Sequence, residues 1–245
     1  VNAYYPDIEG IFIKQEEFLG LGYAISLAAD YVDGPVFINL GDTIIEADIK
    51  HLIQDDTSWI TVKEVDDPRR FGVVLNDGEG LVTKVVEKPT EVISRHALCG
   101  VYFFNNSRLL FNLLKDLIAS GKKTRNEFQL TDAIGMMIEK GEKILAIPAK
   151  EWLDCGRVET LLQTNRFLLE KYKPSVFPIP SVVINHPVFI DPSAQLKNCV
   201  VGPFVSVGKN VIMSNVIVQN SIINDSSPEK NIVLTDSVIG YSAFF

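Results

Sequence analysis

The sequence predicts an α/β domain followed by a parallel β-helix, and three observations support this prediction. Residues 10–172 alternate short β-branched runs with stretches in which apolar residues recur at spacings of three and four. The proline-rich run "KPSVFPIPS", residues 173–181, ends that pattern. Beyond it, single aliphatic residues recur about every six positions. We therefore predict a first domain at 1–172, a linker at 173–181 and a hexapeptide-repeat β-helix at 182–245.

In the first domain, β-branched runs predict strands and helical apolar spacing predicts helices. The predicted strands are "GIFIK" (10–14), "VFINL" (36–40), "WITVKEV" (59–65), "CGVYFF" (99–104) and "ILAIPA" (144–149). The predicted helices are 22–32, 107–120, 158–172 and a run that starts at Thr131 and is ended by Gly141. Residues 71–89 predict a hairpin around "NDGEG". Such alternation indicates a sheet covered by helices on both faces, with its ligand site at the carboxyl ends of the strands.

The region after the linker has a different sequence pattern, because the apolar spacing of three and four residues that is typical of helices is absent from it. Segments such as "FIDPSA", "VGKNVI" and "MSNVIV" repeat one aliphatic pattern, with Gly, Asn, Ser and Asp at the intervening positions. This spacing is typical of a parallel β-helix in which each hexad forms one side of a coil. The alternative is a set of short sandwich strands, which would space their turn signals at about 8 to 12 residues. The hexads present would form roughly three coils.

Composition limits the classes of function. The formal net charge of −8 and a pI near 5.0 argue against a nucleic-acid groove, although phosphate can still bind at a local cationic site. Cys99, Cys155 and Cys199 are odd in number and far apart, which predicts a reducing compartment and no zinc site. No apolar run approaches the roughly 20 residues that span a bilayer, so we predict a soluble, cytoplasmic protein without membrane contact.

Two aspartates follow predicted strands. Asp42 comes after "VFINL", and Asp154 ends the strand in "EWLDCG" before a helix. Two strand-end carboxylates on one edge of a sheet can share Mg²⁺, which takes one or two protein carboxylates together with substrate phosphates. The alternative for Asp42 is a helix N-cap or a turn former, and the alternative for Asp154 is a helix N-cap.

Glu87 and Lys88, in "VVEKP", end a hairpin strand that Pro89 terminates. The lysine could neutralise a phosphate, and the glutamate could accept hydrogen bonds from sugar or base hydroxyls. The alternative is an exposed ion pair on one leg of the hairpin.

Gln15 and the glycines Gly20 and Gly22 flank the start of a predicted helix in "KQEEFLGLGYAI". Glycines allow a flat ring to approach the backbone, and a glutamine side chain offers a donor and an acceptor to an imide edge. The alternative is that the glycines only mark the entry to the helix.

Seven segments in a fixed order resemble those of the sugar-phosphate nucleotidylyltransferases, and most closely those of the members that transfer thymidylyl or uridylyl groups to glucose 1-phosphate. The likeness covers nearly all of residues 10–172, and a hexad tail also occurs in longer members. The segments are "Q…GLGYA", "LGD", "DPRRFGVV", "VVEKP", "CGVYFF", "NEFQLTDAI" and "EWLDCG".

The resemblance implies a Rossmann-like fold, a mixed and mostly parallel sheet with helices on both faces, followed by a short left-handed β-helix. It implies a reaction in which a nucleoside triphosphate and a sugar 1-phosphate give a nucleotide sugar and pyrophosphate, with Mg²⁺ as cofactor. We also expect a homo-oligomer that binds no nucleic acid. The implied residues are Asp42 and Asp154 for the metal; Asp42, Lys88 and Asp154 for catalysis; Gln15, Gly20 and Asp42 for the nucleotide; and Gly72, Glu87, Lys88, Tyr102 and Thr131 for the sugar.

The sequence also departs from the family pattern. The glycine-rich loop that grips the triphosphate is absent, and the chain opens without Met and stops in mid-pattern, so we expect a fragment of a longer protein. Cys99 and Cys155 stand where relatives more often have another small residue, and we interpret both as packing residues. Two alternatives stay open: a non-catalytic subunit that binds sugar nucleotides, and a bifunctional enzyme whose β-helix transfers acyl groups, for which His186 is the candidate histidine. The sequence does not decide between dTTP and UTP or fix the sugar.

Overall fold

The structure is a computed structural model that describes residues 7–50, 52, 56–241 and 243. The chain divides into two compact units, Val1–Trp152 and Leu153–Phe245. Each unit has its own hydrophobic core.

The first unit combines short helices with one central sheet. Its described helices are α1 (Leu21–Ser26), α2 (Ser107–Ser120) and α3 (Leu130–Glu139), with 3-10 turns at Ala29–Tyr31 and Pro68–Arg70. Its described strands are β1 (Val36–Asn39), β2 (Thr43–Glu46), β3 (Ser58–Glu64), β4 (Gly72–Asn76), β5 (Val82–Glu87), β6 (His96–Phe104), β7 (Ile144–Pro148) and β8 (Glu151–Asp154). β8 starts in this unit and forms a separate two-stranded sheet with β2.

The central sheet has six strands in the order β5-β4-β6-β3-β7, and β1 also pairs with β6. The predicted mixed sheet is confirmed, but among its described pairs only β3–β7 is parallel, so the sheet is not mostly parallel. The difference has a simple cause in part of the sheet: β4 and β5 are joined by a short turn, and a connection of that length permits only antiparallel pairing.

The helices of the first unit follow the predicted apolar spacing. α2 covers the predicted residues 107–120, with the Asn106 side chain capping its first turn and Gly121 in the left-handed conformation at its end. α3 and α2 bury their apolar faces in a core built on Phe104, Leu114 and Ile134. The hairpin and the strands predicted at 36–40, 59–65, 99–104 and 144–149 are also confirmed, with ends shifted by one to three residues.

Two predictions near the start of the chain need correction. Residues 10–14 form no strand, and Phe12 is 80% exposed. A strand requires a neighbouring strand to satisfy its backbone groups, and this run pairs with none in the described residues. The helix predicted over 22–32 is shorter, because α1 ends at Ser26 and a separate 3-10 turn follows at Ala29–Tyr31.

The second unit consists of a helix, α4 (Val158–Tyr172), and a β-solenoid of about three turns. α4 matches the predicted residues 158–172 and packs on the solenoid, where Asn165 donates to the carbonyl of Phe204 and accepts from the hydroxyl of Ser206. The solenoid strands are β9 (Val182–Ile184), β10 (Val188–Ile190), β11 (Gln195–Lys197), β12 (Cys199–Val201), β13 (Val205–Val207), β14 (Ile212–Ser214), β15 (Ile217–Gln219), β16 (Ser221–Ile223), β17 (Pro228–Lys230), β18 (Val233–Thr235) and β19 (Val238–Ile239).

These strands form three sheets in which each strand pairs in parallel with the equivalent strand of the next coil. Val188 aligns with Val205 and Val205 with Ser221, so one coil takes 17 and then 16 residues. The predicted β-helix is therefore confirmed, and the sandwich alternative fails because its sheets would be antiparallel.

Asparagine makes several corners of the solenoid. Asn198, Asn215 and Asn231 all have positive φ, and their side-chain amides form a ladder with N–H···O distances of 3.3 and 2.8 Å. Asparagine tolerates the left-handed conformation better than most residues because its short polar side chain bonds locally.

The division between the units falls after Trp152, whereas the predicted domain boundary follows residue 172. α4 thus belongs with the solenoid by contact, and the boundary at 173–181 stays a prediction. No helix in the described part of the chain is both long and apolar enough to cross a membrane.

Candidate functional site

Three elements of the first unit converge on the carboxylate of Glu87. Glu87 ends β5 and pairs with Gly72 at the start of β4, while Thr131 lies in the first turn of α3. The Thr131 hydroxyl donates to Glu87 Oε2 at 3.0 Å. A Cβ atom on Gly72 would lie 2.8 Å from the side chains of Leu98 and Thr131 and 3.1 Å from Glu87 Oε2. Three predicted sugar-site residues therefore meet, and the glycine leaves the carboxylate the space it occupies.

Glu87 and Lys88 form an ion pair that is not the exposed pair of the alternative interpretation. Lys88 Nζ lies 3.4 Å from Glu87 Oε1, and the Glu87 side chain is only 9% exposed while that of Lys88 is 45% exposed. Lys88 has a φ of 40°, and its amide donates to the carbonyl of Phe71. The glutamate is thus held in place by the fold, and the ammonium reaches solvent beside it.

Arg125 is a second cation at this place, and the sequence reasoning missed it. Its guanidinium donates to the carbonyl oxygen of Lys88 at 2.8 Å. Arg125 and Asn126 both have positive φ in a tight turn closed by hydrogen bonds between Thr124 and Glu127. No periodic pattern marks this residue, so only the run "TRNEF" beside the predicted "QLTDA" segment could have pointed to it.

Tyr102 lies on β6 and is a core residue, 4% exposed, with its ring stacked on Phe104. Burial raises the pKa of the Tyr102 phenol, and the nearby charge of Glu87 raises that pKa further. The phenol therefore stays protonated near the Glu87 carboxylate.

Gly20 and Gly22 are explained by packing within the chain. A Cβ on Gly20 would lie 2.7 Å from both Glu127 Cβ and the carbonyl oxygen of Phe128, and the Gly22 amide donates to that same carbonyl at 2.8 Å. The start of α1 therefore sits directly on the segment that leads into α3. Gln15, which precedes α1 in the sequence, is partly exposed. Its side-chain amide donates to the carbonyl of Glu17 at 3.0 Å.

Asp42 lies in the turn between β1 and β2, after the strand that the sequence predicted. This turn is tied to β6 because the Leu40 amide donates to the Gly100 carbonyl at 2.9 Å. A strand follows Asp42, so the residue is not a helix N-cap. Its carboxylate is exposed and accepts no hydrogen bond from the described residues, so it does not serve as a turn former through its side chain either.

Asp154 is the last residue of β8 and belongs to the second unit, whereas Asp42 belongs to the first. Its Oδ1 accepts the Gly156 amide at 2.9 Å, and its carbonyl accepts the Thr164 hydroxyl. The N-cap of α4 is Arg157, so the N-cap alternative fails for Asp154 as well. The bond to Gly156 is an Asx-type turn, which leaves the second carboxylate oxygen available.

Within the described ranges, no three His, Cys, Asp or Glu side chains come together as a metal site. Asp42 and Asp154, each taken by itself, offer carboxylate oxygen, which is the kind of donor that a hard divalent cation with most of its waters takes. Cys99 is buried, and burial raises the pKa of its thiol to about 12, which fits a packing role. His186 is exposed and precedes β10.

The fold defines an α/β domain whose polar groups converge where β4, β5 and α3 meet, followed by a β-solenoid. Residues 5–171 match the model of the Nucleotidyl transferase family. This chain therefore belongs to the nucleotidyl transferase family.

Similar proteins support that assignment. The chain is 31% identical to the low-salt glycan biosynthesis nucleotidyltransferase Agl11 of Haloferax volcanii, over 96% of this chain and 73% of that protein. It is 35% identical to the bifunctional protein GlmU of Methanocaldococcus jannaschii, over 70% of this chain and 40% of that protein. A glucose-1-phosphate thymidylyltransferase of Streptomyces antibioticus is 29% identical over 93% of this chain and 67% of its own length.

A solved structure of UDP-glucose pyrophosphorylase complexed with UDP-glucose superposes with a TM-score of 0.57 at 24% identity, covering 65% of each chain. At that identity the likeness concerns the fold alone. Among the curated relatives, the chain spans 73% of the length of the Agl11 protein and 40% of the length of the GlmU protein.

Proposed function

We propose that this chain transfers a nucleotidyl group from dTTP or UTP to a sugar 1-phosphate, with glucose 1-phosphate as the first candidate, and releases pyrophosphate. The observation that carries the proposal is the Glu87 carboxylate, which Thr131 orients and Lys88 flanks at 3.4 Å. The names of two relatives, a glucose-1-phosphate thymidylyltransferase and the nucleotidyltransferase Agl11, point to the same class of reaction.

Glu87 would bind the sugar. Its side chain is nearly enclosed, and Thr131 and Lys88 each hold one of its oxygens, so its remaining lone pairs point in a fixed direction. A carboxylate with free lone pairs accepts hydrogen bonds from sugar hydroxyls, and bonds to charged groups are about twice as strong as neutral ones. Gly72 would keep the sugar pocket open beside this carboxylate.

Lys88 and Arg125 would hold phosphate. Both substrates are anions, so the attack of the sugar phosphate oxygen on the α-phosphorus requires neutralisation of charge more than covalent help. Lys88 reaches solvent while its backbone is fixed by the bonds to Phe71 and Arg125, which is the arrangement of a positioned but accessible cation. Arg125 would add a planar donor fork that suits phosphate oxygens.

Asp42 and Asp154 would hold the divalent metal, which we propose is Mg²⁺. When bound, such an ion neutralises phosphate oxygens and polarises the reacting phosphorus. Asp42 suits this role because its carboxylate is exposed and unengaged within the described residues. Asp154 suits it because the Gly156 amide fixes one oxygen and leaves the other.

Gln15 would read the pyrimidine base, since its side chain presents the donor and acceptor that an imide edge requires. Gly20 would contribute through the close approach of α1 to the segment that leads into α3. The choice between dTTP and UTP depends on one methyl and one hydroxyl of the nucleotide.

The test is pyrophosphate release by the intact protein, measured with four nucleoside triphosphates against several sugar 1-phosphates. We expect turnover with dTTP or UTP and glucose 1-phosphate. Binding of a sugar nucleotide with no pyrophosphate release for any pair would instead identify a non-catalytic subunit and overturn the proposal.

The metal assignment is tested by Asp42→Asn and Asp154→Asn, with Asp116→Asn on the exposed face of α2 as the matched control. Each of the first two should lower turnover on the order of 100-fold or more, because charge stabilisation is usually the largest catalytic contribution. The control should keep the parent rate. Parent rates in both metal variants would remove the aspartates from the mechanism.

A second activity, acyl transfer by the solenoid, has one supporting observation, which is that some relatives are named bifunctional. Against it, His186 is an exposed residue of the corner between β9 and β10, and it is not enclosed by the coils. An acetyl-CoA assay on the intact protein separates the two activities. Assembly into a homo-oligomer and location in the cytoplasm stay predictions, and gel filtration with light scattering tests the first.

A further inference from the structure

The solenoid core contains a carboxyl group that has no partner among the described residues. Glu229 is the central residue of β17 and is 2% exposed. In the parallel register it aligns with Met213 of β14, which in turn aligns with Leu196 of β11. Glu229 therefore occupies the inward position that aliphatic side chains occupy in the two preceding coils.

Both oxygens of Glu229 are buried without a hydrogen-bond partner in the described part of the chain. The other fully buried polar residues of the solenoid differ in this respect. The Ser221 hydroxyl donates to the carbonyl of Gln219, and the Ser227 hydroxyl donates to the carbonyl of Gly240. The fold satisfies its buried hydroxyls but leaves this one carboxyl unsatisfied.

The surroundings of Glu229 are apolar. Its register partner Met213 belongs to the buried apolar cluster of the solenoid, as do Leu234 and Ile239, and the neighbouring Lys230 lies on the exposed outer face. Burial raises the pKa of Glu229, and no charged side chain within the described ranges contributes to the shift. An ionised carboxylate without a partner is costly in such a place, whereas a neutral carboxyl costs much less.

We infer that Glu229 is held protonated inside the solenoid and that its ionisation loosens the coils around it, which makes the solenoid a pH-sensitive element. The sign follows from linkage. The folded state holds the proton on Glu229 to a higher pH than the unfolded state does. The contribution of this proton to the free energy of unfolding is therefore fully present below the ordinary glutamate pKa of about 4.3. It is lost as the pH rises from that value through the raised pKa of the folded state.

The experiment measures hydrogen exchange of solenoid amides in the intact protein at a series of pH values, for the parent and for Glu229→Gln. Comparison at each pH cancels the intrinsic dependence of exchange on pH. We expect the opening equilibrium of the parent to rise, relative to Glu229→Gln, by up to about tenfold per pH unit above the ordinary glutamate pKa. Glu170→Gln, an exposed glutamate on α4, is the control and should follow the parent.

Glu229→Met keeps the test decisive if the glutamine amide is itself poorly tolerated, because methionine already fits the same position one coil earlier. This variant should show more protection than the parent, with a difference that grows as the pH rises. An infrared band of a protonated carboxyl that persists above the ordinary glutamate pKa of about 4.3, and that is absent in both variants, is the independent readout. The same pH dependence in the parent and both variants, or no such band, would overturn the inference.

Discussion

The two units arrange their polar side chains in opposite ways. In the first unit, Glu87 and Thr131 come from elements far apart in sequence and meet at one place, with Lys88 beside them. In the solenoid, Asn198 donates to Asn215 and Asn215 donates to Asn231, so these equivalent residues of successive coils form a row along one edge. Convergence concentrates charge where a ligand can use it, whereas repetition uses the same polar chemistry to stabilise the fold itself.

This difference follows from connectivity. A solenoid coil closes within 16 or 17 residues, so each side chain meets its own repeat. The first unit brings β6 between β4 and β3 and covers the sheet with helices, so its contacts join distant segments. Contacts between distant segments bring unlike residues of the first unit, such as Glu87 and Thr131, to one place.

Among the changes that test this comparison, the largest effect on catalysis is expected when the convergence at Glu87 is broken. Glu87→Gln keeps the size and the bond from Thr131 but removes the charge. We expect kcat/KM to fall roughly 10- to 100-fold, because a hydrogen bond to a charged group contributes about 1.5 to 3 kcal/mol. Most of the loss should appear with the natural sugar 1-phosphate and less with an analogue that lacks the bonded hydroxyl. Steady-state kinetics against both substrates measure this.

Glu79→Gln, in the exposed hairpin turn, is the control for that experiment and should leave the kinetics unchanged. An equal loss with the sugar 1-phosphate and with every deoxy analogue would show that Glu87 does not bind the sugar.

The solenoid could be predicted from the sequence more completely than the first unit, and the reason is the same difference in connectivity. Hexad spacing is local, so aliphatic positions such as Val205 and Val207 could be assigned to the inner face from their spacing alone. The order and direction of the six sheet strands depend on distant pairing, and there the expected mostly parallel sheet was wrong.

Within the site, motif order could place Glu87 and Lys88 at a strand end. It could not foresee that the Thr131 hydroxyl would meet Glu87, because that contact depends on how α3 packs on β5. Arg125 was missed since its role depends on a turn with two left-handed residues. Glu229 was also beyond the sequence, because nothing in "SPEKN" shows which residue points inward.

A second prediction concerns the space beside the carboxylate. Gly72→Ala places a Cβ 2.8 Å from Leu98 Cδ1 and Thr131 Cγ2, so neighbouring side chains must shift. We expect the free energy of unfolding to fall by about 1 to 3 kcal/mol, as at other overpacked sites, and the KM for the sugar 1-phosphate to rise. Chemical denaturation and steady-state kinetics check the two effects.

Gly78→Ala is the matched control, because a Cβ there meets no described atom within 4 Å. Should Gly72→Ala match that control in both stability and KM, the pocket would be able to absorb a methyl group. The close approach of Gly72 to Leu98 and Thr131 would then not be needed for binding of the sugar 1-phosphate.

The smallest effect on catalysis is expected at a solenoid corner, where equivalent residues share the bonds of the ladder. Asn215→Ala removes the ladder bonds and places alanine at a φ of 57°, whereas Asn215→Gly removes the bonds but accepts that φ. The left-handed conformation costs a residue with a Cβ about 1 to 2 kcal/mol, and each lost hydrogen bond costs about 1 kcal/mol. Alanine should therefore reduce amide protection of the flanking coils more than glycine does. The exposed Gln195→Ala should change little, and catalysis should be unaffected in all three variants. If alanine and glycine prove equal, corner conformation does not limit the stability of the solenoid, and asparagine is there for its ladder bonds alone.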